Sequence, residues 1–175
     1  MSTVKLGLNL SNFSPGAQAI IRKSREAANV HRALKIDTAD LLAATADSKT
    51  LSGEVLRGHK VTYGEVLSCC RFYRGQDKAN YSFNEGDFES NFEHEARVAL
   101  LETVRNTEEK KEPASTESDL LHTLLGYGHD DFTSYRIIKR LELIPGAILR
   151  ELERREGPSN PQAQERPRER SLSTS

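Results

Sequence analysis

The chain has 175 residues, of which 36% are hydrophobic and 29% are charged, and its formal net charge is −1 at pH 7. These values are typical of a soluble globular protein with one ordinary domain or two small ones. The near-zero charge gives no general attraction to nucleic acid or to an anionic membrane, and the short apolar runs exclude a membrane-spanning segment.

The first half of the chain contains four predicted helices, which follow an extended lead-in over residues 1–12. Ser14 and Pro15 form the first clear start signal, and the apolar stripe behind them predicts a helix to about Asn29. Further helices are predicted to start at Thr38, Ser52 and Thr62. We expect Gly58 to end the third helix in a left-handed conformation.

The second half repeats this pattern after a linker over residues 71–87, which has no helical period. The segment from Ser90 to Glu93 matches a capping box and predicts a helix start. Later helices are predicted from Thr116, around Ile137, and from Pro145. Residues 157–175 are rich in Pro, Ser, Glu and Arg, so we expect a disordered tail.

An internal repeat is the strongest feature of the sequence. A shift of 79 positions places Ala17 on Ala96 and Asp40 on Asp119 without a gap. Three further residues in a later loop then bring Val66 onto Ile148. The repeat predicts an all-α fold of about eight helices, built from two tandem four-helix copies at residues 13–70 and 88–156 and related by a pseudo-twofold axis.

The repeated segments resemble the N-terminal double repeat of Clp unfoldase ATPases. Residues 13–28 read FSPGAQAIIRKSREAA, residues 36–44 read IDTADLLAA, and the resemblance covers about residues 12–67 and 91–152. Some family members bind phosphoarginine through a signature Glu, which is replaced here by Ala39 and Ser118, although Glu117 lies one position before Ser118. The sequence has no phosphate-binding G-x-x-x-x-G-K-[ST] motif of an ATPase.

The resemblance implies a non-catalytic, monomeric module without a cofactor, which binds a Clp ATPase, an adaptor or a client protein and so regulates protein turnover. Neither nucleic acid nor a membrane is an expected partner. The predicted partner-binding residues are the apolar Leu10, Phe13 and Phe92, near the pseudo-twofold axis, and the acidic Asp40, Glu117 and Asp119, at helix N-termini. Two alternatives remain open: a sensor that binds a small molecule or a modified residue such as phosphoarginine between the repeats, and a purely self-assembling protein.

The cysteines and histidines predict neither a nucleophile nor a metal site. Cys69 and Cys70 are adjacent, which opposes a disulfide between them, and we expect two buried or half-buried thiols at a helix end. The five histidines show no spacing typical of metal ligands. Scarce cysteine and the lack of a recognisable signal peptide favour a reducing, cytoplasmic setting.

Overall fold

The computed structural model describes residues 7–70, 79–126, 128 and 130–157. These residues form eight α-helices and two short 3-10 helices, and their only β structure is two isolated bridges. The α-helices are α1 (Pro15–Val30), α2 (Thr38–Ala46), α3 (Leu51–Gly58), α4 (Tyr63–Ser68), α5 (His94–Glu109), α6 (Glu117–Leu125), α7 (Thr133–Arg140) and α8 (Pro145–Glu156). The all-α fold predicted from the sequence is confirmed.

Side-chain caps explain where several helices begin. The hydroxyls of Ser14 and Thr62 each accept a hydrogen bond from the backbone N–H three residues later, at 3.3 and 3.2 Å, as predicted for the starts of α1 and α4. The cap of α3 is Thr50, whose hydroxyl accepts from the Gly53 N–H at 3.2 Å. The predicted start at Ser52 was therefore displaced by two residues.

A short 3-10 helix precedes the first α-helix of each copy. Leu10–Asn12 lies within the predicted extended lead-in, and Phe88–Asn91 covers Ser90. The capping box predicted at Ser90 was wrong, because the chain is extended again at Phe92 and Glu93 before α5 begins. This extended stretch forms backbone hydrogen bonds with the other copy.

The two copies share left-handed turns at matching positions. The non-glycine residues with positive φ among the described residues are Arg32, Lys60, Lys111 and Glu142, with φ of 63°, 69°, 60° and 65°. Arg32 matches Lys111 at an offset of 79 positions, and Lys60 matches Glu142 at an offset of 82, as the repeat requires. Since this conformation costs an L-residue about 1 kcal/mol, its recurrence indicates the same chain path in both copies. Gly58 was predicted to fill this role, but it is the last residue of α3.

Two backbone bridges join the copies in a reciprocal manner. Phe13 pairs with Ser115, and the Ser14 N–H donates to the Ser115 carbonyl at 2.8 Å. Phe92 pairs in the same way with Ile36, which accepts from Glu93 at 2.8 Å. Phe13 and Phe92 each lie just before the first α-helix of their own copy. Their partners, Ser115 and Ile36, each lie just before the second α-helix of the other copy. This exchange is the pseudo-twofold arrangement that the repeat predicts.

The core is continuous across the two copies. Helix α2 packs against α1, α3 and α4 of its own copy and also against α6 and α7 of the other, while α3 packs against α8. Phe13, Phe83, Phe88 and Phe92 form an aromatic cluster, and its shortest centroid distance is 4.9 Å, between Phe88 and Phe92. Each copy therefore completes its apolar burial with side chains of the other.

Residues 1–6 of the predicted lead-in, 71–78 of the predicted linker and 158–175 of the predicted tail lie outside the described residues. The described end of the linker is held by Asn29, whose side-chain amide donates to the Tyr81 carbonyl at 2.9 Å. Phe83 extends from this segment into the aromatic cluster. Within the described part of the chain, no helix is long and apolar enough to cross a bilayer.

Candidate functional site

Two of the predicted partner-binding residues lie in the core. Phe13 is 2% exposed and Phe92 is 0% exposed, because both rings fill the space where the bridges bring the two copies together. Leu10 is partly buried and packs against the same core. Contrary to the prediction, neither phenylalanine offers a surface that a partner could contact.

Asp40 is fully buried and serves as a helix cap. Its Oδ2 accepts a hydrogen bond from the Asp37 backbone N–H at 2.9 Å, at the start of α2. Its Oδ1 lies 2.7 Å from Nε2 of His31, just beyond the C-terminal end of α1. A partner cannot reach this carboxylate without displacing His31.

Asp119 occupies the matching position in the second copy and makes the matching contacts. Its Oδ2 accepts from the Thr116 backbone N–H at 2.9 Å, and its Oδ1 accepts from Lys110 Nζ at 3.1 Å. Unlike His31, Lys110 is half exposed, with 49% of its side chain accessible. The Lys110–Asp119 pair is therefore open to the surface, whereas the His31–Asp40 pair is closed.

That opening is an acidic groove of about 700 Å³ between the start of α6 and the end of α8. Its charged and titratable residues are Lys110, Glu112, Glu117, Asp119, His122, Glu153 and Glu156. Two of the predicted acidic residues, Glu117 and Asp119, thus lie on one surface. Ser118, which replaces the signature Glu in this copy, lines the groove as well.

Charge crowding in the groove shifts several pKa values. Burial alone would raise the pKa of Asp119, but hydrogen bonds from the Thr116 backbone and Lys110 hold it below its ordinary value. Burial and the neighbouring charge of Asp119 raise the pKa of Glu112. Burial would lower the pKa of Lys110, but its bond to Asp119 outweighs this and raises it. Lys110 therefore remains a cation that only partly neutralises the surrounding carboxylates.

Glu117 connects the groove to the first copy. A Cβ atom added to Gly16 in α1 would lie 1.7 Å from Oε2 of Glu117, so the carboxylate sits directly over the glycine. Only a residue without a side chain leaves this position free for Glu117. The pairing of Gly16 with Glu117 could not be seen in the sequence, because the two residues are brought together by the docking of the copies.

Sequence reasoning also missed a partly buried acidic pair, Asp37 and Glu95, where α5 of the second copy meets the start of α2 in the first. Glu95 of α5 accepts from the Thr133 N–H at 2.8 Å, which caps α7, and it accepts from the Thr38 hydroxyl. Burial first, and the nearby charge of Glu95 second, raise the pKa of Asp37 to about 7. No signal in the sequence indicated this contact between the copies. An acidic residue in the first turn of a helix is favourable by itself, so Glu95 at the start of α5 needed no further explanation.

Both cysteines are free and half-buried just beyond α4, as predicted. Burial, followed by the charges of Asp40 and Asp37, raises the pKa of Cys70 to about 12. Burial also raises the pKa of Cys69. Since the thiolate is the nucleophilic form, neither sulfur is activated for attack at neutral pH.

A smaller hollow of about 290 Å³ lies on the first copy and is lined by Arg25, Leu34, Lys35 and Tyr81, among others. Leu34 and Tyr81 are 64% and 46% exposed. Arg25 uses two of its nitrogens to donate to the carbonyls of Ala33 and Leu34. This hollow combines apolar and basic groups, in contrast to the acidic groove.

Comparison with known proteins identifies the class of fold. The chain is similar to the solved structure of the N-terminal domain of the caseinolytic protease associated chaperone ClpD from Arabidopsis thaliana. The TM-score is 0.61 at 14% sequence identity, and the match covers 83% of this chain and 94% of that domain. No known family profile matches the sequence, and no curated protein matches it.

The protein thus has the all-α fold of a Clp N-terminal domain, as the resemblance implied. At this low identity the likeness shows the shared fold, and the details of the site come from this chain alone. The two bridges, the matched left-handed turns and the paired capping aspartates are the features in which the two copies of this chain correspond.

Proposed function

We propose that this protein is a non-catalytic interaction module of the Clp type, which binds a Clp chaperone component, an adaptor or a client and so regulates protein turnover. The proposal is supported by the fold it shares with the N-terminal domain of ClpD, a protease-associated chaperone. The observation that carries it furthest is the acidic groove between α6 and α8, which gives the module a surface of defined chemistry.

The groove fits a basic segment of a protein partner. Among the described residues, five carboxylates line it, those of Glu112, Glu117, Asp119, Glu153 and Glu156, against one cation, Lys110, and the titratable His122. Arg side chains pair with carboxylates through two parallel hydrogen bonds, so an Arg-containing segment is the best match. Exposed ion pairs contribute at most about 1 kcal/mol each, and we therefore expect several of them to act together and to weaken in salt.

The same charges disfavour a phosphorylated ligand. A phosphoryl group next to this many carboxylates would be repelled, and Ser118 cannot supply the carboxylate found at this position in relatives that bind phosphoarginine. We therefore expect unmodified Arg or Lys to be preferred over phosphoarginine.

Affinity capture with matched charge variants tests the proposal. Glu153→Lys/Glu156→Lys reverses two carboxylates that line the groove, and Lys is well tolerated in the last turn of a helix because it complements the dipole. Glu26→Lys/Asp131→Lys produces the same change in net charge at two exposed positions outside the groove. We expect a Clp component or a coherent client set to be recovered by wild type and by the control, and lost by the groove variant.

Recovery of the same proteins by the groove variant would contradict the assignment of the surface. If Leu34→Ser, in the smaller hollow, instead abolished capture, the apolar hollow would be the docking surface. Thermal unfolding of every variant by circular dichroism separates loss of binding from loss of fold.

A further inference from the structure

Three side chains with different metal-ligating atoms converge in the first copy. His31 lies just after α1, Asp40 lies in the first turn of α2, and Cys70 follows α4. One imidazole nitrogen, one carboxylate oxygen and the sulfur all lie within 4.8 Å of one another. These residues are 9 and 30 positions apart in the sequence, which is why no ligand spacing was visible there.

The fold holds these side chains in place before any ligand arrives. Asp40 is fully buried and fixed by the Asp37 N–H at 2.9 Å, and its other oxygen lies 2.7 Å from His31 Nε2. Cys70 lies within 3.7 Å of the Val66 carbonyl, on the preceding turn. The His31 side chain is 11% exposed, so part of the imidazole reaches the surface while Asp40 does not.

The second copy shows what this location needs for folding alone. Its matching residues are Lys110, Asp119 and Leu152, at the offsets of 79 and 82 positions that the repeat defines. Lys110 and Asp119 form an ordinary ion pair at 3.1 Å, and Leu152 is fully buried. A cation, a carboxylate and an apolar side chain are therefore enough for this part of the fold to form. The first copy keeps the carboxylate and replaces the other two residues with metal ligands.

We propose that His31, Asp40 and Cys70 together bind one divalent transition-metal ion of the Zn²⁺ type, with water completing the coordination. Mixed nitrogen, oxygen and sulfur donors suit Zn²⁺, and three protein ligands with one open position form a common tetrahedral site. The Asp40 carboxylate and the Cys70 thiolate balance the charge of the ion. The thiol proton leaves to solvent on binding, and a proton on Nε2 of His31 leaves or is replaced by one on Nδ1.

Titration of the metal-free full chain with Co²⁺, a spectroscopic substitute for Zn²⁺, tests this site. We expect one Co²⁺ per chain, an intense thiolate-to-cobalt charge-transfer band, and the strong visible absorption of tetrahedral coordination. Zn²⁺ should displace the cobalt and raise the melting temperature of the chain.

The second copy supplies the variants. His31→Lys and Cys70→Leu each install the residue found at the matching position, so both should fold, and each should weaken Co²⁺ binding by about 100-fold or more. Cys70→Ala serves if leucine disturbs the packing. Cys69→Ser should bind as wild type does.

Two results would overturn the proposal. One is a wild-type chain that shows no charge-transfer band in a tenfold excess of Co²⁺. The other is a band that survives Cys70→Leu and Cys70→Ala but disappears in Cys69→Ser, since this would place the metal on the neighbouring thiol.

Discussion

Individual side chains show how the two copies diverged while keeping one backbone. Asp40 and Asp119 cap their helices identically, but one faces His31 in a closed site and the other faces Lys110 at the wall of an open groove. Their positions at helix N-termini could be predicted from the sequence. Their partners could not, because the pairing requires knowing how the end of one helix approaches the start of the next.

Asp37 provides a prediction about pH at this scale. Its pKa rises from 3.8 to about 7 in the folded chain, mainly through burial, so the folded state keeps a proton that the unfolded chain has released. Stability should therefore fall as the pH rises from about 4 to about 7 and level off above that. Asp37→Asn should lose this slope and exceed wild type in stability at about pH 8, since Asn also caps helices.

Urea unfolding in the presence of a chelator, across this pH range, measures the effect. Asp131→Asn, at an exposed position away from Asp37 and Glu95, is the control and should behave as wild type does. An unchanged pH slope in Asp37→Asn would show that another group takes up the proton.

At the scale of elements, the apolar periods and the capping residues located the helices, and long-range contacts decided the exceptions. Helix α1 and helix α4 begin where Ser14 and Thr62 predict. The failure at Ser90 has a tertiary cause: Phe92 is held in an extended bridge to Ile36, so the helix can start only afterwards. A local capping signal contains no information about such a bridge.

Gly53 gives a prediction for the junction of α2 and α3. A Cβ at this position would lie 2.4 Å from the Ser48 carbonyl oxygen and 2.7 Å from that of Thr45, and backbone atoms cannot rotate away. We expect Gly53→Ala to destabilise the fold by about 1–3 kcal/mol, as overpacking does. Gly58→Ala, in the same helix with no atom within 4 Å, should be neutral or slightly stabilising. Chemical denaturation of both variants distinguishes the two, and equal stabilities would contradict the close contact.

For the molecule as a whole, the repeat predicted two copies and their symmetry, and the structure adds that each copy depends on the other. Phe13 and Phe92 were expected at the axis as a contact surface, and they lie at the axis as core. The distinction depends on how closely the copies approach, which a pattern of residue types within one copy cannot show. The groove was missed for a different reason: α6, the loop before it and α8 are distant in the sequence, and their approach within the second copy could not be read from the repeat.

Splitting the chain tests this mutual dependence. Residues 1–78 and 79–175, produced separately, should each lack a cooperative melt, because each loses its bridge partner and the α2–α7 and α3–α8 contacts. Mixed in equal amounts, the halves should assemble and recover helical circular dichroism. Two halves that melt cooperatively alone would show that each copy is an independent domain.

The proposed function can be tested most directly by a double-mutant cycle between the groove and the basic segment of a captured partner. The four dissociation constants come from wild type and Glu153→Lys/Glu156→Lys, each measured with the native segment and with its basic residues changed to alanine. A coupling of at least about 1 kcal/mol would place the segment in the groove, and this is the result we predict. Additive effects, within about 0.5 kcal/mol, would show that the segment binds elsewhere and would contradict the account.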